Sequence, residues 1–333
     1  MTDTHTDAQR SAILDRYKRV TVIGAGVIGT SWTALFLARG LGVTVNDPRP
    51  DLAQAVMEGL SQFTPTLKAL GLPTENLSKN LRFEGDLARA LDGTDVVQEN
   101  VPEQLEVKQT LFAKVEQAVS PSTLLLSSSS SLRATDIAQG MTTAGRMLIG
   151  HPFNPPHVMP LVEIVPGERT EAAAVADAVA FYAALGKKPL VLHKEVPGFV
   201  GNRLQAALFR ECISLVRDGV VTLDELDTIV TSSIGLRWAT GGPFLSFHLG
   251  GGPGGLPAFM QHFGPGLEAL WKVLGDAHFD ETTVKILTDQ DKATYGRVPY
   301  DVLETERDQK ELAILNALAG MTTTSVGPTK EAR

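Results

Sequence analysis

The 333-residue sequence predicts an α/β fold, in which a doubly wound sheet domain is followed by an all-helical C-terminal domain. Short β-branched runs alternate with helical patterns up to about residue 195, which is typical of a mostly parallel sheet. From residue 196 onward the apolar residues recur only at helical spacing. A glycine-rich turn directly follows the first predicted strand, as at the first βα turn of many doubly wound sheets.

The sheet domain is predicted to cover residues 17–195, after a polar, disordered tail at residues 1–16. Each predicted strand is a short run of mostly branched apolar residues, and the helical segments between strands have apolar residues three or four apart. In chain order the predicted strands are 19–23, 43–47, 81–83, 96–98, 123–126, 147–149, 161–165 and 189–192, and the helices include 27–38, 52–70, 104–119 and 171–185.

The C-terminal domain is predicted to cover residues 196–325 and to contain long amphipathic helices without strands. Segment 241–255 holds seven glycines in fifteen residues, so it is predicted to be a loop between helices. The helices of this domain carry more apolar positions than a domain of its size covers alone, which predicts a homodimer formed through it. The predicted helices are 202–216, 223–233, 256–274 and 302–318.

Composition excludes several classes of protein. The formal net charge is −8, and an acidic surface repels phosphate backbones, so nucleic acid is not an expected partner. Cys212 is the sole cysteine and the histidines lack ligand spacing, so neither a disulfide framework nor a metal site is expected. The first residues are not typical of a secretory signal and no apolar run suits a membrane span, so a cytoplasmic location is expected.

The turn after the first strand has the pattern G-x-G-x-x-G, with an acidic residue at the end of the second strand. Its first glycine permits a tight turn, the second lets the backbone approach a pyrophosphate, and the third allows close packing of helix on strand. The acidic residue would accept hydrogen bonds from the adenosine ribose and repel a 2′-phosphate, which favours NAD over NADP, although Arg49 nearby weakens that preference. This Rossmann-type site is predicted to bind NAD through Gly24, Gly26, Val27, Ile28, Gly29 and Asp47.

Three polar residues further along have the chemistry of alcohol oxidation. His151 follows a short strand, and Glu163 lies twelve residues later inside an apolar strand, where a lone carboxylate needs a partner. A histidine paired with a carboxylate suits proton removal from a hydroxyl. Asn202 begins the helical domain and could polarise the substrate oxygen. Each residue also has a structural alternative: a buried histidine, an exposed edge glutamate and a helix cap.

The sequence resembles the 3-hydroxyacyl-CoA dehydrogenase superfamily from about residue 19 to residue 318. The resemblance is carried by GAGVIG, QENVPE, the serine run 127–131, GHPFNP, LVEIV and PGFVGNRL. It implies an enzyme whose active site holds a serine, a histidine, a glutamate and an asparagine, which here are Ser130, His151, Glu163 and Asn202.

The resemblance also implies a role for each group. His151 would be the general base, Glu163 its orienting partner, and Ser130 and Asn202 ligands of the substrate oxygen; Ser129 and Ser131 remain alternatives to Ser130. The cofactor would contact Glu103 and Lys108 at its nicotinamide ribose and Ser130 and Asn154 beside the nicotinamide.

Within the superfamily the sequence is more similar to the branch of lambda-crystallin (L-gulonate 3-dehydrogenase) and carnitine 3-dehydrogenase, whose members oxidise free 3-hydroxy acids. The arm at residues 51–79 has two lysines against three acids, whereas the relatives that use CoA have a lysine-rich arm there. Arg237 beside Trp238 could clamp a free carboxylate, although a surface arginine at a helix start is equally consistent.

The expected reaction is therefore NAD-dependent oxidation of the 3-hydroxyl of a small free L-3-hydroxy acid, gulonate-like or carnitine-like. Carnitine would need an aromatic box for its quaternary ammonium, and Asn202 departs from the aspartate expected in carnitine enzymes, which favours a gulonate-like acid. The aromatic residues of the helical domain that cluster as candidates for such a box are Trp238, Phe244, Phe247, Phe259, Phe263 and Trp271. Two alternatives remain: an L-3-hydroxyacyl-CoA dehydrogenase of fatty-acid oxidation, and a catalytically idle NAD-binding or structural relative.

Overall fold

The structure, a computed structural model, describes residues 7–321. Eight strands form one sheet in the order β3-β2-β1-β4-β5-β6-β7-β8. All neighbouring strands run parallel except β6 and β7, which pair antiparallel. The strands are β1 (Arg19–Ile23), β2 (Gly42–Asn46), β3 (Leu81–Phe83), β4 (Val96–Glu99), β5 (Leu124–Ser127), β6 (Met147–Pro152), β7 (Leu161–Pro166) and β8 (Lys188–Val191).

Fourteen α-helices lie within the described residues. Seven of them precede or alternate with the strands, and the rest follow β8 without further strands in that part of the chain. The first seven are α1 (Asp7–Arg16), α2 (Val27–Ala38), α3 (Leu52–Ala69), α4 (Leu87–Ala90), α5 (Leu105–Ala118), α6 (Ala134–Ile137) and α7 (Ala172–Ala184). The others are α8 (Gly201–Arg217), α9 (Leu223–Ser232), α10 (Ile234–Thr240), α11 (Pro243–Gly250), α12 (Gly255–Trp271), α13 (Glu281–Ala293) and α14 (Tyr300–Ala319).

The sheet is buried on both faces, because successive side chains of a strand point to opposite sides. In β5, Leu124 and Leu126 belong to an apolar cluster with residues of α2, α3 and α7, whereas Leu125 belongs to a second cluster with residues of α5 and α6. Strands covered on both faces need near-continuous apolar sequence, which explains the apolar runs. The predicted doubly wound sheet followed by a helical domain is thus confirmed.

The chain divides into two compact units, one ending at Val200 and the other covering Gly201–Met321. The predicted boundary at residue 195 lies before this division. The intervening segment stays with the sheet because Phe199 is buried beside the His151 ring and the Val200 amide donates to Glu163. The predicted end of the helical domain at residue 325 lies outside the described residues.

The prediction of a disordered tail at residues 1–16 is wrong for its second part, since Asp7–Arg16 forms α1. This helix packs on α7, and two neighbouring side chains bond to one carboxylate of α7: Arg16 Nη1 lies 2.9 Å and Tyr17 Oη 2.7 Å from Asp177. Ile13 and Leu14 pack against the core. The short polar sequence hides these contacts because they depend on a distant helix. Residues 1–6 lie outside the described part of the chain.

The glycine-rich segment 241–255 is not wholly a loop, because α11 occupies its middle. Pro243 stands at the start of α11, where its missing amide hydrogen costs nothing, and the following residues are apolar. The glycines lie at both ends of the helix, where they permit the turns into and out of it.

The turn between β1 and α2 depends on two glycines. Gly24 has φ +91°, a left-handed conformation that favours glycine, and a side chain at Gly29 would meet the Gly24 carbonyl oxygen at 1.9 Å. Gly26 is different: it begins α2 with φ −72°, and a methyl group there would have no neighbour within 4 Å. The third glycine of the motif is therefore required by packing, and the second is not.

We expect Gly29→Ala to lower the free energy of unfolding by about 3 kcal/mol or more, because backbone must move to admit the methyl group. Gly26→Ala should change it by less than about 1 kcal/mol, since the loss at the helix cap is offset by a stiffer unfolded chain. Urea denaturation followed by circular dichroism measures both. Equal stability of the two variants would contradict the proposed packing role of Gly29.

Candidate active site

Several predicted site residues meet at one edge of the sheet. The strands β1, β4, β5 and β6 are parallel neighbours, so their carboxyl ends lie side by side. The glycine turn follows β1, the segment with Glu103 follows β4, the serine run follows β5, and His151 lies near the end of β6. The strand order reverses between β1 and β4, and ligands of doubly wound sheets bind at such a reversal.

The glycine turn presents the amino end of α2 at this edge. The Gly24 amide donates to the carbonyl of Asn46 at 2.9 Å, which ties the turn to the end of β2. The first amides of a helix point outward without partners in the helix and, with the helix dipole, attract phosphate. The space above Gly26 and the 54%-exposed side chain of Val27 leave this surface accessible to a pyrophosphate; Ile28 is half-buried.

Asp47, directly after β2, is half-buried and bonds to backbone on both sides. Its Oδ2 accepts from the Ala25 amide at 2.8 Å, and its Oδ1 accepts from the Arg49 amide at 2.9 Å. The Arg49 guanidinium is held by Asp51 through two bonds of 2.8 and 2.9 Å. A carboxylate at the ribose position and an arginine already paired with an acid suit a cofactor without a 2′-phosphate. The glycine turn and the Asp47 carboxylate together form a cofactor groove that fits NAD.

The serine run is organised by one carboxylate. Glu103 Oε1 accepts hydrogen bonds from the hydroxyls of Ser129 and Ser131, at 2.6 and 3.0 Å, and from three consecutive amides that begin at Ser130. Burial raises the pKa of Glu103, but the bonds from Ser129 and Ser131 and the charge of Lys108 outweigh it and hold the pKa at about 2. Glu103 is therefore a carboxylate that shapes the loop after β5.

Hydroxyls of the serine run hold the loop through bonds to neighbouring side chains. Ser127 donates to Glu99 at 2.5 Å, and Ser128 donates to the Asn100 side chain at 2.7 Å. Ser129 and Ser131 donate to Glu103. The alternatives Ser129 and Ser131 thus help to hold the loop, and the partly exposed Ser130 donates its backbone amide to the same carboxylate.

A buried ion pair lies beneath these loops. Lys108 Nζ lies 2.7 Å from Glu99 Oε1, and both side chains are 1% exposed or less. The ammonium also donates to the Val101 carbonyl at 3.1 Å and lies 3.5 Å from Glu103 Oε2. Lys108 therefore lies buried between Glu99 and Glu103. Glu99 was not among the predicted residues. The sequence feature that could have identified it is an acidic residue at the end of an apolar strand.

His151 and Glu163 face each other across the antiparallel pair of β6 and β7, where they are register partners. His151 Nδ1 lies 2.8 Å from Glu163 Oε2, and the other oxygen of Glu163 accepts from the Val200 amide at 3.1 Å. Both residues are buried, with Phe199 beside the imidazole. Because a carboxylate only accepts, the bond places the imidazole hydrogen on Nδ1 and the lone pair on Nε2. The arrangement can accept a proton.

The loop after β6 carries Asn154, which is exposed. It is anchored from beneath by Lys187, whose ammonium donates to the carbonyls of Pro156 and Met159. Burial lowers the pKa of Lys187 to about 7. The backbone of this loop is thus held from within the sheet domain.

The helical unit carries the remaining predicted residues. Asn202 is the second residue of α8, and Arg237 and Trp238 are exposed on α10. Phe259 packs against Phe247 and Phe263, with ring centroids 4.7 and 5.0 Å apart. The exposed remainder of the aromatic set is Trp238, Phe244 and Trp271.

Two other features are absent from the described residues. No cluster of three or more histidine, cysteine or acidic side chains that could hold a metal ion occurs within residues 7–321. None of the helices in that range combines the length and the apolar character needed to cross a membrane.

Both units match family models. Residues 19–196 match the model described as 3-hydroxyacyl-CoA dehydrogenase, NAD binding domain, and residues 198–285 match the model of the C-terminal domain of the same family. The first match covers the glycine turn, the serine run and the His151–Glu163 pair.

Curated relatives and solved structures agree with these matches. An L-carnitine dehydrogenase of Streptomyces coelicolor is 40% identical over 96% of this chain and 99% of its own. A 3-hydroxyacyl-CoA dehydrogenase of Gibberella moniliformis is 40% identical over 92% of this chain and 98% of its own. The crystal structure of an NAD+-dependent dismutase, 5-formyl-3-hydroxy-2-methylpyridine 4-carboxylic acid 5-dehydrogenase, aligns over 92% of this chain and 99% of its own with a TM-score of 0.77 and 27% identity. The chain belongs to the 3-hydroxyacyl-CoA dehydrogenase family and is an NAD-dependent oxidoreductase.

Proposed function

We propose that this protein oxidises the 3-hydroxyl of a small free L-3-hydroxy acid to the 3-keto acid, with His151 as general base. The observation that carries the proposal is the 2.8 Å contact between His151 Nδ1 and Glu163, because it orients an imidazole and leaves Nε2 able to accept a proton. NAD, when bound, supplies the acceptor for the hydride that leaves the hydroxyl-bearing carbon.

The chain's own residues then handle the proton and the oxygen. His151 Nε2 takes the hydroxyl proton, and the adjacent Glu163 carboxylate stabilises the imidazolium that results. Glu163 is itself held by the Val200 amide, so its orientation is fixed before substrate binds. By the family resemblance, Ser130 and Asn202 are assigned as ligands of the substrate oxygen, and Asn154 and Glu103 as contacts of the nicotinamide end of the cofactor.

A free acid is favoured by the surface after β2. The residues of α3 and the turn that follows expose Lys68 and Lys79 together with Glu58 and Glu75, so the region offers little positive charge for the phosphates of coenzyme A. The identity to the carnitine dehydrogenase, over nearly the full length of both chains, supports the same choice. The exposed pair Arg237 and Trp238 supplies a guanidinium and a ring for a carboxylate and a cationic head group.

A second candidate, oxidation of L-3-hydroxyacyl-CoA, is favoured by one observation. The relative from Gibberella moniliformis, named 3-hydroxyacyl-CoA dehydrogenase, is as similar to this chain in percentage identity as the carnitine enzyme of Streptomyces coelicolor. The same proton chemistry serves both substrates, so the two functions differ only in what binds the remainder of the molecule.

The substrate class is tested by NAD reduction at 340 nm with L-carnitine, L-gulonate, L-3-hydroxybutyrate and L-3-hydroxybutyryl-CoA. We expect turnover with at least one free acid and a kcat/KM at least about tenfold lower for the thioester, because the arm after β2 lacks partners for its phosphates. Preference for the thioester would establish the second candidate. No turnover with any of the four, despite NADH binding, would favour an idle relative.

The general base is tested by His151→Gln. We expect kcat to fall by between about 100- and 10,000-fold with NADH affinity unchanged, because proton transfer is lost and the cofactor groove is intact. Glu163→Gln should also lower kcat, since it removes the negative charge next to the imidazolium. His193→Gln, at an exposed histidine of the same unit, is the matched control and should retain wild-type turnover. Wild-type kcat in H151Q would exclude His151 as the base.

We further propose a homodimer formed through the helical unit. A cleft of about 430 Å³ between α8, α9 and α13 is lined mainly by apolar side chains, Phe209 and Leu226 among them. Monomeric proteins seldom leave such continuous apolar surface in water. Large apolar side chains exposed elsewhere in the unit include Ile229, Leu245, Leu249, Met260, Leu270, Val273, Leu274, Phe279 and Ile314.

Size-exclusion chromatography with light scattering at micromolar concentration should give twice the 35.6 kDa mass of one chain. Phe209→Glu, at a residue that is 55% exposed and lines the cleft, should shift the mass toward that of one chain. Met57→Glu, at a 43%-exposed residue of the sheet domain, is the control and should leave the mass unchanged. A monomeric mass for the wild-type protein would overturn the proposal.

A further inference from the structure

Glu99 and Lys108 form an ion pair that is out of contact with solvent, and Glu99 has no role in the chemistry proposed above. Both oxygens of Glu99 are engaged: Oε1 accepts from Lys108 Nζ at 2.7 Å and from the Val101 amide at 2.6 Å, and Oε2 accepts from the Ser127 hydroxyl at 2.5 Å. Ser127 Oγ in turn accepts from the Ser129 amide at 3.1 Å. One carboxylate therefore contacts both the segment after β4 and the last residue of β5.

Lys108 extends the same connection to the site surface. Its ammonium donates to Glu99 Oε1 and to the Val101 carbonyl, and it lies 3.5 Å from Glu103 Oε2. The other oxygen of Glu103 holds the backbone of the serine run. A continuous line of charges thus leads from Glu99 through Lys108 to Glu103 and the loop of Ser130.

A contribution to stability does not by itself explain why an ion pair is buried here. Removing two charges from water is costly, and apolar side chains of similar volume often replace a buried ion pair without loss of stability. Fixed geometry is a better reason, because a loop that contacts both cofactor and substrate must be held to within a fraction of an ångström for efficient hydride and proton transfer.

We infer that Glu99 is a positioning residue, which acts through Lys108 and Ser127 to fix the loops of Glu103 and Ser130 against the nicotinamide end of the bound cofactor. The inference rests on the proposed function only where kcat is measured, because cofactor binding can be measured without a substrate.

The first experiment measures NADH binding by fluorescence titration and kcat by NAD reduction for Glu99→Gln. The amide keeps the volume of the side chain and removes its charge, so Lys108 is free to move onto Glu103. We expect the dissociation constant of NADH to rise about tenfold and kcat to fall about 100-fold. Asp95→Asn, at the opposite end of the same strand where Asp95 pairs with Arg19, is the matched control and should leave both values unchanged.

A double variant separates positioning from stability. Lys108→Met leaves the buried Glu99 without its cation and should lower the melting temperature, whereas Glu99→Gln combined with Lys108→Met removes both charges and should restore at least half of that loss. A positioning role requires that NADH binding and kcat stay impaired in the double variant. Recovery of binding together with melting temperature would show a purely structural pair and overturn the inference.

Ser127→Ala keeps both charges and removes the hydroxyl that joins Glu99 to the Ser129 amide, so it provides a milder variant if the charge variants do not fold. It should lower kcat about tenfold with little change in melting temperature. Wild-type NADH affinity and kcat in S127A and E99Q would overturn the inference. If the wild-type protein oxidises none of the tested hydroxy acids, the proposed function fails, and NADH binding by these variants still decides the role of Glu99.

Discussion

The antiparallel register of β6 and β7 brings an imidazole and a carboxylate face to face inside a sheet that is otherwise parallel at its centre. A buried glutamate is unfavourable unless it is hydrogen-bonded, and here His151 and the Val200 amide provide both partners. Because Val200 ends the sheet unit, this one carboxylate also fixes the backbone immediately before the helical unit. The reversal of strand direction thus pairs His151 with Glu163 and fixes the backbone at the end of the sheet unit.

The site consists of loops whose positions depend on acidic side chains. Glu163 orients His151, Glu103 holds the serine run, and Asp47 ties the glycine turn to the segment after β2. A carboxylate that accepts several backbone amides holds a loop in a way that apolar packing does not, because each hydrogen bond has a direction. The net charge of −8 therefore includes acids that are part of the site's framework as well as a solvated surface.

Most of the sheet could be predicted from sequence because its strands are covered on both faces and read as apolar runs between helical periods. Among the predicted site residues, His151 and Glu163 do contact each other. This pairing could be predicted because a lone acid in an apolar strand indicates a partner. The burial of Lys108 could not be predicted, because it depends on Glu99 and on how the ends of β4 and β5 lie against each other. Helix α1 was missed for a similar reason: its contacts are to α7, far along the chain.

The position of α1 has a consequence for how this domain can be isolated. The match to the family's NAD-binding domain begins at residue 19, yet Tyr17 is buried edge-on against Phe181, and its hydroxyl and the Arg16 guanidinium bond to Asp177. A fragment trimmed to the matched range would expose the aromatic face of α7 to water and leave an acid of that helix without its cation. The range matched by the family model is therefore shorter than the compact unit, whose first helix covers part of the core.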